Sequence, residues 1–263
     1  MADSLSAQPR VDSIVLAGGT IADPEFRQAV GVDRRPLIDL LGKPMAQWVV
    51  EALRASRSTG RVVVLSRPDL RQTPVAGLAD EVVEEGVDEV DSLFRGIEAL
   101  PGAQQVLMVS SDLALLTPDA VDDFVANAPA DADVVIGILE KADIPPDLQH
   151  HEWIFSKWPE GQFTGASCFL FKPEAIAGRR QWVQEVFDAR RSVWRLMRMW
   201  GLGFLLRLLL HRVALAEAEA HVGKVLGVRG RAYITRHIEL CFDVDKLSDV
   251  TVAEEQLRKR QAG

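Results

Sequence analysis

An apolar run that empties into two glycines, Ser13 to Thr20 (SIVLAGGT), constrains this chain more than any other stretch. Ile14, Val15 and Leu16 are consecutive aliphatics without polar alternation, the mark of a strand buried on both faces of a parallel sheet. Gly18 and Gly19 let the backbone turn with positive φ and approach a ligand closely. A strand of this kind opening into Leu16, Ala17, Gly18, Gly19 and Thr20 points to an α/β fold whose first loop can cradle a nucleotide phosphate. Gly-Gly turns also serve packing alone, so the turn by itself leaves both roles open.

The rest of the chain alternates short apolar runs with helical patterns, as a βα-type sheet requires. Arg61 to Ser66 (RVVVLS), Val106 to Val109 and Val134 to Leu139 read as further buried strands, and Glu81 to Glu85 as a short edge strand. Helical spacing joins Met45, Trp48, Val49, Ala52 and Leu53, and again Leu93, Ile97 and Leu100 around Gly96. Thr117 and Pro118 form a cap and first turn for a helix to Asn127. Gln162 to Pro173 returns to a strand, a helix-rich segment runs from Pro173 to about Leu226, and Arg231 to Thr235 and Glu239 to Val244 read as closing strands before a last helix near Leu247 to Leu257. The 263 residues fit a single domain, with a loop insert near 141–161 over the site and a helical insert near 178–226. Ile21 to Arg35 reads as a long polar loop. Its cations Arg27, Arg34 and Arg35 are either solvated or in contact with a triphosphate.

Two places carry candidate chemistry besides the glycines. Ser110-Ser111-Asp112 ends a central strand, where open α/β sheets bind ligands, and Thr117 already caps the helix that follows, which leaves Asp112 free for chemistry. Near the end, Cys241-Phe242-Asp243-Val244-Asp245 sets two acids two apart, so both share a face of a strand. Asp243 is a metal ligand candidate, and Asp245 either joins it or caps the turn before the last helix.

Charge and composition narrow the partners. A net charge of −8 disfavours a nucleic-acid partner, which wants a basic face. The polar N-terminus MADSLSAQPR lacks an apolar signal core and points to the cytoplasm. Cys168 and Cys241 lie in apolar runs as reduced core residues. His150 and His151 have no further ligand at metal spacing and read as loop surface or substrate contacts, and Lys157 reads as a solvated lysine or, alternatively, as a contact to an anionic acceptor. Within 192–212 only eight residues, Met199 to Leu206, separate Arg198 from Arg207, too few for the roughly twenty a bilayer crossing needs. That stretch either docks on the sheet or at a homodimer interface, or lies in a membrane surface.

LAGG after the first strand, LLGKPM before the first helix, VSSDLALLTPDAV in the middle and FDVDKLSDV near the end together resemble the MobA-like nucleotidyltransferases. The resemblance implies a GT-A-like three-layer α/β/α fold with a mostly parallel sheet. It also implies an NTP held by the glycine turn and Mg²⁺ held by Asp112 with Asp243 or Asp245. Arg35 stands where the family places a phosphate-binding lysine, Ala114 replaces the proline of its SDLP motif, and Gly165-Ala166-Ser167 replaces an asparagine-bearing segment. Backbone amides at Gly18 to Thr20 and the guanidinium of Arg35, with Arg27 as a weaker contributor, would then stabilise charge as an anionic acceptor attacks the α-phosphate. The expectation is a Mg²⁺-dependent transfer of NMP from an NTP to a small phosphorylated or anionic acceptor, releasing pyrophosphate. A GT-A-like glycosyltransferase using an NDP-sugar and a non-catalytic nucleotide-binding homologue are the alternatives.

Overall fold

The computed structural model of the protein describes residues 10–149, 151–189 and 199–262. His150 and the 192–198 part of the 192–212 stretch therefore lie outside the described residues. One sheet of eight strands organises them in the order β10-β7-β9-β6-β1-β4-β5, with β8 paired onto β9. The strands are β1 (Val11–Leu16), β4 (Thr59–Ser66), β5 (Glu81–Glu84), β6 (Val106–Ser110), β7 (Val134–Glu140), β8 (Ser156–Trp158), β9 (Gly161–Phe171) and β10 (Gly230–Thr235). A two-residue pair, β2 (Asp39–Leu40) and β3 (Lys43–Pro44), forms a small separate hairpin at the GKP turn.

β1 lies parallel between β4 and β6, whereas β9 runs against its neighbours β6, β7 and β8. Register fixes the working edge: Leu16 sits opposite Leu65 on one side and Ser110 on the other. The glycine turn and Asp112 therefore leave the sheet at the same level. Because β9 is antiparallel and pairs Cys168 with Val109, the preceding residue, Ser167, reaches that same edge.

Successive strand residues point to opposite faces, and both faces are apolar here. Val15, Val64, Leu107 and Val109 join one core cluster, whereas Ile14, Val63, Leu65, Val106 and Met108 join another. Helices cover the two faces, giving three layers. α1 (Pro24–Val30), α2 (Met45–Ala55), α3 (Val75–Leu78), α4 (Glu89–Glu98) and α5 (Pro118–Asn127) precede the antiparallel strand, and α6 (Pro173–Ile176), α7 (Arg180–Ala189), α8 (Leu202–Leu209) and α9 (Leu215–Leu226) lie between β9 and β10. The last helix, α10, spans Leu247–Ala262. Gly96 has a packing role: a Cβ there would stand 2.8 Å from Ile14 Cδ1, so its absence lets α4 lie directly on β1. No helix among the described residues is long and apolar enough to cross a membrane.

Two expected elements differ. The polar loop Ile21 to Arg35 contains α1, capped by Asp23, whose carboxylate accepts from the amides of Glu25 and Phe26, and closed by Gly31 in the left-handed region. Glu239 to Val244 forms no strand: Ile238–Leu240 is a 3₁₀ turn and the following residues pair with no neighbour strand. Alternation survives without the ladder, because Phe242 and Val244 are both fully buried.

Candidate functional site

The glycine turn is held from beneath. Ala17 donates its amide to Leu65 O at 2.8 Å, and Arg35 donates its amide to Gly19 O at 3.0 Å. Arg34, 1% exposed, runs under the turn, donating to Ala17 O at 2.7 Å, to Ser66 Oγ at 3.3 Å and to Asp69. A buried guanidinium is tolerable only with such partners, so of the two adjacent arginines Arg34 is structural. Gly18 and Gly19 are not in the left-handed region, contrary to the expectation of positive φ. Gly18 leaves room for a side chain from the next strand end: a Cβ there would overlap the carboxylate of Glu85, which follows β5 and would have to shift. Glu85 accepts from Arg67 Nε at 2.8 Å, and its Oε2 lies 3.7 Å from Arg34 Nη2.

Across the edge, the two distant acidic segments meet. Val244 donates its amide to Asp112 O at 3.1 Å, which seats Asp243 and Asp245 beside the end of β6. Ser167 Oγ donates to Asp243 Oδ2 at 2.7 Å. The guanidinium of Arg35 stands between the acids, with Nη1 2.8 Å from Asp245 Oδ1 and 3.5 Å from Asp112 Oδ2. Asp112 Oδ1, Asp243 Oδ1 and Arg35 Nε are buried without a hydrogen-bond partner. Orphaned buried polar atoms are uncommon and costly, and here they belong to groups of opposite charge around one edge.

The electrostatics follow from burial. Burial pushes the Asp112 carboxyl above the usual range; the Asp245 charge adds to this, and the Ser110 hydroxyl and Arg35 oppose it. Asp243 is pushed up to about 7, first by burial and then by the charge of Asp112, with Ser167 opposing. Two acids buried side by side in this way cannot both ionise without mutual repulsion. No set of three or more His, Cys, Asp or Glu side chains among the described residues is arranged to hold a metal. The donor set is instead two buried carboxylates, each with a spare oxygen, which fits an ion that keeps water and phosphate oxygens as its other ligands, as Mg²⁺ does. Asp245 is 59% exposed and bonded to Arg35.

Asp245 is not the cap of the last turn. Asp249, 2% exposed, takes that role by accepting from the amides of Asp245 and Lys246 at 3.0 Å each. His151 places Nδ1 3.2 Å from Asp249 Oδ1 and packs on Phe242 and Trp153, so it buttresses the acidic segment. Arg27 projects from α1 into solvent, away from the contacts that join Arg35 to the acids. Thr20 bridges to Arg34, and Lys157 is exposed on β8. Cys168 and Cys241 are buried, and burial raises both thiols, so neither is a ready thiolate. Glu85, Asp249 and the burial of Arg34 carry no local sequence signal; Ser167 carries one in its small-residue surroundings.

The MobA-like NTP transferase domain model matches residues 13–197. The chain belongs to that family. Its match includes the glycine turn, Arg35 and Asp112, while Asp243 and Asp245 come from the part beyond it. A 2-C-methyl-D-erythritol 4-phosphate cytidylyltransferase from Frankia casuarinae is 33% identical over 140 residues, 52% of this chain and 51% of that protein. The chain thus spans about half the length of the curated relatives it matches. Among solved structures, a hypothetical transferase from Thermus thermophilus superposes with a TM-score of 0.82 at 29% identity, covering 92% of this chain and 99% of that one. The 4-diphosphocytidyl-2C-methyl-D-erythritol synthase of Anaerococcus prevotii shares the fold, with a TM-score of 0.58 at 10% identity over 98% of this MobA-like chain and 100% of its own. The architecture is that of the GT-A-like nucleotidyltransferases.

Proposed function

We propose that this protein is a Mg²⁺-dependent nucleotidyltransferase that moves NMP from an NTP to a small phosphorylated or anionic acceptor and releases pyrophosphate. The observation that carries the reading is the pair of buried carboxylates, Asp112 and Asp243, each with an unpartnered oxygen, set beside Arg35 at the glycine turn. Family membership and the cytidylyltransferase relatives support it. They also make CTP the first nucleotide to test.

In such a transfer an acceptor oxygen bonds to the α-phosphorus while the bond to the bridging oxygen breaks, and pyrophosphate leaves with that electron pair. Both reactants are anionic, so repulsion dominates the barrier. Asp112 and Asp243 would hold the divalent ion, which when bound screens the phosphates and polarises their oxygens. The Arg35 guanidinium, 31% exposed, is positioned to exchange its carboxylate partners for phosphate oxygens, and the exposed turn at Gly19 and Thr20 offers backbone amides to the triphosphate. Ser167 holds the Asp243 carboxylate in place through its hydroxyl. Glu85 would repel phosphate, which leaves the Gly18 side of the turn to the nucleoside end.

Incubation with each NTP, Mg²⁺ and a panel of phosphorylated acceptors, with pyrophosphate measured, tests the reading. Pyrophosphate release dependent on acceptor and Mg²⁺ supports it. Turnover of a nucleotide sugar without pyrophosphate would make the protein a glycosyltransferase, and NTP binding without turnover of any acceptor would make it a non-catalytic homologue.

A further inference from the structure

Helix α8 offers one face to the protein and another to solvent. Phe204 stacks on His221 with ring centroids 3.7 Å apart, His221 Nε2 lies 2.9 Å from Trp200 O, and Arg207 forks onto Glu217 at 2.6 and 2.9 Å. These contacts fasten α8 to α9. The opposite side carries Leu202, Leu206 and Leu209, continued by Leu210 at the C-cap; these are 57, 50, 73 and 60% exposed. Their spacing, i, i+4, i+7 and i+8, makes one continuous stripe. Contiguous exposed leucines of this kind mark a contact surface rather than chance exposure.

Charge indicates what the surface meets. The protein is acidic overall, at −8, yet the sequence from Ala189 to Ala216 holds six arginines and no acidic residue. Among the described residues, exposed Arg212 follows the leucine stripe directly, and exposed Lys157 is tied to its end through Lys157 O, 3.0 Å from His211 Nδ1. Glu217 neutralises Arg207, and exposed Glu160, which accepts from the Leu215 amide at 2.9 Å, keeps its charge and offsets one of the two cations. Among the described residues, a two-fold contact through this face would gather the like charges of Arg212 and Lys157 from both copies at one patch, because the same surface meets on both subunits. An anionic surface removes that repulsion. At eight residues α8 is only about 12 Å long, against a hydrocarbon core of about 30 Å, so it lies on a bilayer rather than across one.

We infer that α8 docks this protein on the surface of a bilayer containing anionic lipid, with Leu202, Leu206, Leu209 and Leu210 entering the headgroup boundary and Arg212 and Lys157 facing lipid phosphates. Apolar burial combined with attraction to anionic headgroups is the energetic basis of interfacial helices. A cleft of about 700 Å³, lined by Lys141, Lys157, Trp158, Glu160 and His211 among others, opens at the same end of the stripe. Docking brings its mouth to the lipid surface. The inference stands independently of nucleotidyl transfer.

The test is co-sedimentation of the full chain with vesicles of phosphatidylcholine, alone or with about 30% phosphatidylglycerol. Binding to the anionic vesicles at low salt, at least about tenfold weaker to phosphatidylcholine alone and weakened by added salt, is expected. Leu206→Asp with Leu209→Asp lowers that binding at least about tenfold without moving the melting temperature, since both side chains are exposed in the folded protein. Arg212→Glu reduces the preference for anionic vesicles. Failure of the wild-type chain to pellet with anionic vesicles at low salt overturns the inference, as does undiminished binding by the double leucine variant. A wild-type dimer in light scattering that becomes monomeric in that variant also overturns it, by making a second copy the occupant.

Discussion

The amide of Val244 donates to the carbonyl oxygen of Asp112 at 3.1 Å, and this backbone bond brings the late acidic segment to the end of the central strand β6. With main chains tied, the side chains of Asp112 and Asp243 are held close enough for the charge of one to raise the other. The two carboxylates are therefore under mutual electrostatic stress when both are ionised.

Stability should report that stress. Asp243 titrates at about 7 in the folded protein, and Asp112 shifts upward too. Between the ordinary carboxylate range and pH 7 the folded state keeps protons that the unfolded chain has released, so stability falls as pH rises through that window. One unit is about 1.4 kcal/mol, so the effect is on the order of a few kcal/mol. Asp133, held down to about 2 chiefly by Arg229, is ionised in both states above pH 5 and does not oppose the trend there. The ligand-free protein should melt lower at pH 8 than at pH 5, Mg²⁺ should raise the pH 8 value by several degrees, and Asp243→Asn should flatten the slope.

Gly18→Ala should cost about 1–3 kcal/mol, because its Cβ meets the Glu85 carboxylate in a packed site. Adding Glu85→Ala should recover most of that loss. Urea unfolding of both single variants and the double variant measures the coupling, which should exceed about 1 kcal/mol. Strict additivity would show that Glu85 is not what demands glycine.

Arg34→Met should destabilise the fold by about 1–3 kcal/mol, since it strips the buried Ala17 O and Ser66 Oγ of their donor and leaves the partly exposed Asp69 to water. Arg34→Lys should recover little, because one ammonium cannot reproduce the fork. Denaturant titration checks both.

Asp249 touches none of the proposed reacting groups, yet it orders the amides of Asp245 and Lys246. Asp249→Ala should cost about 1–3 kcal/mol of stability and weaken Mg²⁺ binding about tenfold or more, as loss of an outer-shell support does. Calorimetry of the variant with Mg²⁺ reads the second effect separately from the first.

The strands around the site were legible because their residues are apolar on both faces; Val62 to Leu65 and Val106 to Val109 need no tertiary information to be read as buried. α1 escaped the periodicity because Phe26 is its one buried residue, although Asp23, Pro24 and Gly31 mark its ends. Glu239 to Val244 has the alternation of a strand, with Phe242 and Val244 inward, but a single backbone bond, from Val244 to the carbonyl of Asp112, stands in place of a ladder. Nothing local distinguishes Arg34 from Arg35: the bridge between Thr20 and Arg34 turns the first under the loop and leaves the second to the acids. Glu85 beneath Gly18 is a contact between separate strand ends, invisible before the sheet is assembled.

The central claim is that Asp112 and Asp243 jointly hold the cation that makes transfer possible. It is tested most directly by Mg²⁺-dependent pyrophosphate release from wild type, Asp112→Asn and Asp243→Asn, each checked for an unchanged fold by circular dichroism. Each variant should lose at least about a hundredfold in rate while melting no lower than wild type at pH 8, because a buried like-charge repulsion has been removed. Rates within a few-fold of wild type in either variant would contradict the account.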